Sequence, residues 1–74
     1  MNKERRTQIG KAISLLNDAA DILQAAQEEE QDYLDNMPES FQQGEKDDAA
    51  QEAIDALENA MDSINEATST LEDI

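Results

Sequence analysis

Apolar side chains return along this chain at alternating intervals of four and three residues, the spacing that gathers them on one side of an α-helix. In the first half Ile9, Ile13, Leu16, Ala20 and Leu23 form such a stripe, and Ala12, Leu15, Ala19, Ile22 and Ala26 form a second beside it. In the second half Ala50, Ile54, Leu57, Met61, Ile64, Thr68 and Leu71 keep the alternation, flanked by Ala53, Ala56, Ala60 and Ala67. A strand would need period two and a loop has no period. The pattern therefore predicts two long helices.

Between the halves lies "DNMPESFQQGEKDD", with the only proline and one of the two glycines. Asn36 and Glu39 have capping-box spacing and Pro38 suits a first helical turn, so a short turn over residues 37–42 is expected, ended by Gly44 in the left-handed conformation. Asp47 or Asp48 is expected to cap the second helix. The chain then reads as one all-α domain over residues 1–74: a helix over about 3–34, a connection over about 35–46, and a helix over about 47–73. A short connection makes the helices an antiparallel hairpin. Aligning the stripes pairs Leu23 with Leu57, Ala20 with Met61, Leu16 with Ile64, Ile13 with Thr68 and Ile9 with Leu71.

Two adjacent apolar stripes on each helix exceed what one neighbour can cover. Burying the second against another copy predicts a homodimer with four-helix-bundle architecture, built from a poorly stable monomer. A foreign helix on the same face is the alternative. Toward the loop the first helix places Gln27, Glu29 and Glu30 where apolar residues should follow. The core is therefore expected to taper there, leaving Tyr33, Leu34, Met37 and Phe41 as a separate small cap. Tyr33, Met37 and Phe41 also make a candidate contact patch, because such residues dominate interface energetics. The plainer alternative is a loop folded onto the bundle end.

Charge changes the picture more than composition does. The chain carries 19 acidic and 5 basic side chains, a net charge of −14. Lys3, Arg5, Arg6 and Lys11 fall in the first eleven residues against Glu4 alone, a local balance of +3. From Ala12 onward Lys46 stands against eighteen acidic residues, a balance of −17. Such a surface repels nucleic acid and anionic membrane and attracts basic surfaces. No apolar run approaches the roughly 20 residues that span a bilayer, and the charged start has no apolar stretch behind it. A soluble protein of the bacterial cytoplasm is expected.

The chemistry available is narrow. Without cysteine or histidine there is no thiolate nucleophile, no imidazole base and no zinc set, and the serines sit in no triad context. A carboxylate pair would need a cleft to raise one pKa, which an alanine-rich bundle does not supply. No enzyme, cofactor or specific metal site is expected. Two binding sites remain as candidates. Asp48, Glu52, Asp55, Asp62 and Glu66, continued by Asp73, lie on one outward stripe of the second helix. Unbroken like charge costs self-repulsion and forgoes stabilising Glu-to-Lys pairs, which points to a basic partner protein. The alternative use of charge is at the N-terminus, where Lys3, Arg5, Arg6 and Lys11 could grip a phosphate or nucleotide. The same four residues could instead complement the negative end of the second helix beside Glu72 and Asp73. A third possibility is a structural assembly module that docks its second apolar stripe on a larger particle.

The segment "EEEQDYLDNMPESFQQGEKDDAAQEAIDALENA", with its "DNMPES" centre over residues 35–40, resembles a family of small hypothetical proteins of phages and prophages in Gram-positive and gut bacteria. The "MNKERR" start and the "AIDALE" second helix extend the resemblance over nearly the whole chain. It implies an origin in phages or mobile elements, where small acidic proteins inhibit host factors by occupying basic surfaces. It carries no established activity.

Overall fold

In the computed structural model, which describes residues 1–38 and 44–74 and Glu45 by its backbone alone, two α-helices pack side by side. Helix α1 spans Lys3–Asp35 and helix α2 spans Glu45–Glu72, with no strand among the described residues. At about 1.5 Å per residue α1 alone is about 50 Å long. The hairpin measures 59 × 15 × 13 Å. Its radius of gyration is 17.1 Å, against about 11 Å for a compact domain of this length. The chain is a rod two helices wide.

The first stripe of α1 is the seam. Ile9, Ile13, Leu16, Ala20 and Leu23 are half-buried, as are Leu57, Met61, Ile64, Thr68 and Leu71 on α2. Ile9 and Ile13 share a cleft with Leu71, which places the start of α1 beside the end of α2, while the contact of Gln27 with Glu58 and the joining of Leu34 to Ala50 and Ile54 set the register about one turn from the expected pairing. Gln27 and Glu30 are half-buried too, so the seam continues through them. Gln27 Nε2 donates to Glu58 Oε1 across the helices at 2.8 Å, satisfying a polar group where the stripe loses its apolar residues. Thr68 is accommodated similarly, its hydroxyl donating to the Ile64 carbonyl at 2.9 Å.

Several loop-end expectations are corrected. The core does not taper toward the connection: the buried residues Leu34, Met37, Ala50 and Ile54 form one cluster at that end. The reason is coverage. Along most of the rod each stripe meets a single neighbour, whereas at the loop end Met37, just beyond α1, adds a further apolar side chain to the pair. Tyr33 does not join this cluster and stays 49 % exposed. Phe41, and the turn expected beyond Pro38, lie outside the described residues.

Helix ends also differ. Asn36 is the C-cap of α1, its backbone N–H and side-chain Nδ2 both donating to the Asp32 carbonyl at 3.0 and 2.8 Å. Those donors satisfy a carbonyl that the helix end would otherwise orphan. Gly44 does not end a turn in the left-handed region: with φ −96° it is the N-cap of α2, which makes Asp47 and Asp48 first-turn residues and not caps. Acidic side chains there still match the positive end of the helix. Asn2, which lies before the first stripe, caps α1 by accepting from the Arg5 N–H at 2.8 Å.

Ala50, 2 % exposed, is the most enclosed of the buried side chains. A leucine there must displace the buried neighbours Leu34, Met37 and Ile54, so Ala50→Leu should cost about 1–3 kcal/mol. Thermal unfolding followed by circular dichroism would register this as a lowered Tm; an unchanged or raised Tm would mean that the loop end is loosely packed.

Candidate functional site

Among the described residues four surfaces are available for function. On α2 the acidic stripe is fully outward: Asp48, Glu52, Asp55, Asp62 and Glu66 are all exposed, and Asp73 continues the line. On α1 Asp18, Asp21, Glu28 and Asp32 are likewise exposed on the side turned from the seam. Each helix therefore carries its negative charge on its back. Asp48 and Glu52, and Asp62 and Glu66, are like-charged neighbours one turn apart, a spacing that destabilises an isolated helix by a few tenths of a kcal/mol.

The basic N-terminal residues lie along the start of α1. Lys3, Arg5, Arg6 and Lys11 are all exposed, and because successive residues turn about 100° around a helix, Arg5 and Arg6 diverge. Arg6 lines a cleft of about 290 Å³ with Ile9, Gly10, Ile13, Leu71, Glu72 and Ile74. Arg6 thereby stands at the negative end of α2, where a cation is favourable.

At the loop end Tyr33, Asn36, Met37, Pro38 and Lys46 line a second cleft of about 320 Å³. Met37, 8 % exposed, belongs to the core there and offers little surface, leaving Tyr33 as the accessible member of the expected contact patch among the described residues. Lys46, the only cation after Lys11, was not singled out by its sequence context, since an isolated lysine in an acidic tract has no pattern to mark it.

The fourth surface is apolar. Leu15 and Ile22, 59 % and 68 % exposed, lie on the second stripe of α1, with Ala12 exposed and Ala19 and Ala26 half-buried between them. Along α2 Ala56, Ala60 and Ala67 are exposed as well. Exposed alanines are ordinary, but two large aliphatic side chains two turns apart on one stripe are an uncovered hydrophobic surface.

Among the described residues no group of three or more carboxylates converges as a metal site, and no helix is long and apolar enough to cross a membrane. No protein-family model, curated protein or solved structure matches this chain.

Proposed function

We propose that this chain is a noncatalytic interaction protein, a homodimeric helical hairpin from a phage or prophage, that binds a basic surface of a host protein in the bacterial cytoplasm and modulates or inhibits it. The observation that supports this reading is the exposed carboxylate line on α2, Asp48 to Glu66, within a tract of net charge −17 that holds one cation. Solubility alone is served by far less charge with both signs interspersed. A one-signed face accelerates encounter with an oppositely charged partner and rejects nucleic acid, and it does so in a salt-dependent way.

Homodimerisation is supported by surface area. The hairpin exposes 5658 Å², whereas a compact folded chain of this mass exposes about 4,500 Å² and its unfolded form about 12,000 Å². Folding as a lone hairpin thus buries only about half of the available surface, below the roughly 60 % of small independently folding domains. A second copy supplies the missing burial.

The test is capture from host lysate by the tagged protein at low and at high salt, beside a variant carrying Asp48→Asn, Glu52→Gln, Asp55→Asn, Asp62→Asn and Glu66→Gln together. The wild type should retain a basic protein that elutes at high salt. The variant should lose at least tenfold of it while keeping its helical circular dichroism. Equal retention by the two proteins would remove the acidic face from the mechanism.

A further inference from the structure

The two uncovered stripes lie on the same side of the hairpin. In a heptad whose seam residues are a and d, the second stripe of α1 (Ala12, Leu15, Ala19, Ile22, Ala26) occupies positions g and c. Ala53, Ala56, Ala60 and Ala67 of α2 occupy g and c as well, with Ser63 between them. Both stripes are therefore displaced from the seam in the same rotational sense, viewed along each helix from N to C. Because α2 runs antiparallel to α1, that common sense carries both to one face of the two-helix layer. The opposite flank, position e, reads Gly10, Asn17, Gln24 and Gln31 on α1 and Gln51, Glu58, Asn65 and Glu72 on α2. One broad face is apolar and almost uncharged, and the other is polar.

The apolar face has relief. Its α1 half carries the bulky Leu15 and Ile22, and its α2 half is alanine and serine. The Gln27–Glu58 contact and the joining of Leu34 to Ala50 and Ile54 place Ile22 level with the gap between Ala60 and Ser63, and Leu15 level with the gap between Ala67 and Thr70, the next position of that stripe. A ridge therefore runs along one helix and a trough along the other, with matching positions along the rod.

Resting on the homodimer reading above, we infer that this face docks a second copy of the chain about a two-fold axis parallel to the helices, so that α1 of each protomer lies over α2 of the other. Ile22 then enters between Ala60 and Ser63 of the second copy, and Leu15 between Ala67 and Thr70, as knobs into holes. All four neighbouring helix pairs are antiparallel. The competing two-fold, perpendicular to the helices in the plane of the face, stacks α1 on α1 and α2 on α2. It sets bulky residues against bulky ones and alanine against alanine, so the layers would splay on one side and gap on the other. The face measures up to 59 by 15 Å, of the order of the 800 Å² or so that each partner buries in a stable interface. It is also the one broad face where two chains of net charge −14 can meet without opposing carboxylate lines.

The chain has no cysteine, so single cysteines report geometry directly. Ile22→Cys and size-tagged Ala60→Cys chains are mixed, refolded together and oxidised, with Leu15→Cys and Ala67→Cys as a second pair and Ala19→Cys alone as the control. The expected result is a dimer by sedimentation, a mixed disulfide in at least one of the two pairs formed at least tenfold faster than in a mixture unfolded by urea, and little self-linkage of Ala19→Cys. A sedimenting dimer in which neither pair links, or in which Ala19→Cys links to itself, overturns the axis and leaves the homodimer standing. A wild-type monomer at micromolar concentration overturns both.

Discussion

Truncating Ile54 to alanine should unfold the isolated protein at room temperature. Ile54 is 4 % exposed and joins Leu34, Met37 and Ala50 in the buried cluster at the loop end. Removing a buried isoleucine side chain to alanine costs about 2–5 kcal/mol, through lost transfer energy and the cavity left behind. A chain below about 70–80 residues rarely has more than about 3–5 kcal/mol in total. The loss is comparable with the whole, and no second cluster exists among the described residues to hold the helices together. Far-ultraviolet circular dichroism of Ile54→Ala against the wild type tests this. Retention of more than about half the helical signal with a Tm within a few degrees of wild type would show that the loop-end cluster is not the anchor of the hairpin. Ile54→Val removes one methylene, and its expected cost of about 0.5–1.5 kcal/mol provides an internal scale.

The second large effect is on assembly. Leu15→Glu with Ile22→Glu places two charges on the open face and removes both of its bulky residues. An unpaired charge in a packed interface costs several kcal/mol, and the two-fold repeats each one. The double variant should sediment as a monomer at concentrations where the wild type is a dimer, and its melting should no longer depend on protein concentration. Asn17→Glu with Gln24→Glu adds the same charge to the opposite, polar flank. That variant should remain dimeric. If both variants dissociate equally, added net charge is responsible and the open face has no special part. If neither dissociates, the copies meet elsewhere.

These experiments separate two uses of the surface. The carboxylates Asp48 to Glu66 stand on the backs of the helices, while Leu15 and Ile22 stand on one flank. Dimerisation through that flank leaves both acidic backs outside and doubles the charged area offered to a basic partner. Neutralising the acidic line should therefore weaken partner capture without disturbing sedimentation, and charging the flank should do the reverse at first order. The contact patch expected around Tyr33, Met37 and Phe41 is reduced, among the described residues, to Tyr33. Met37 is held in the core.

Local periodicity was enough to read two helices, because the four-three alternation depends only on residues within a turn or two of one another. It also marked two stripes on α1 and a charged back on each helix. The acidic stripe was legible for the same reason, being a pattern on one helix. What each stripe meets is not local. Which stripe forms the seam followed from aligning the helices, and Ile9 to Leu23 is half-buried while Leu15 and Ile22 stay exposed, but the axial register depends on where α2 lies. The loop end shows the same limit more sharply. Gln27 and Glu30 suggested a fading core, yet Gln27 reaches Glu58 across the seam and Leu34, Met37, Ala50 and Ile54 close together beyond it.

Asn36 and Gly44 likewise had plausible roles as an N-cap and a left-handed stop. The actual lengths of α1 and α2 make them a C-cap and an N-cap. The sequence by itself determined the helices, their faces and the distribution of charge, since each is set within a few residues of chain. Only the tertiary structure decided the axial register of the seam and the closure of Leu34, Met37, Ala50 and Ile54 into one cluster at the loop end, because where two helices meet along their length is a property of neither helix alone.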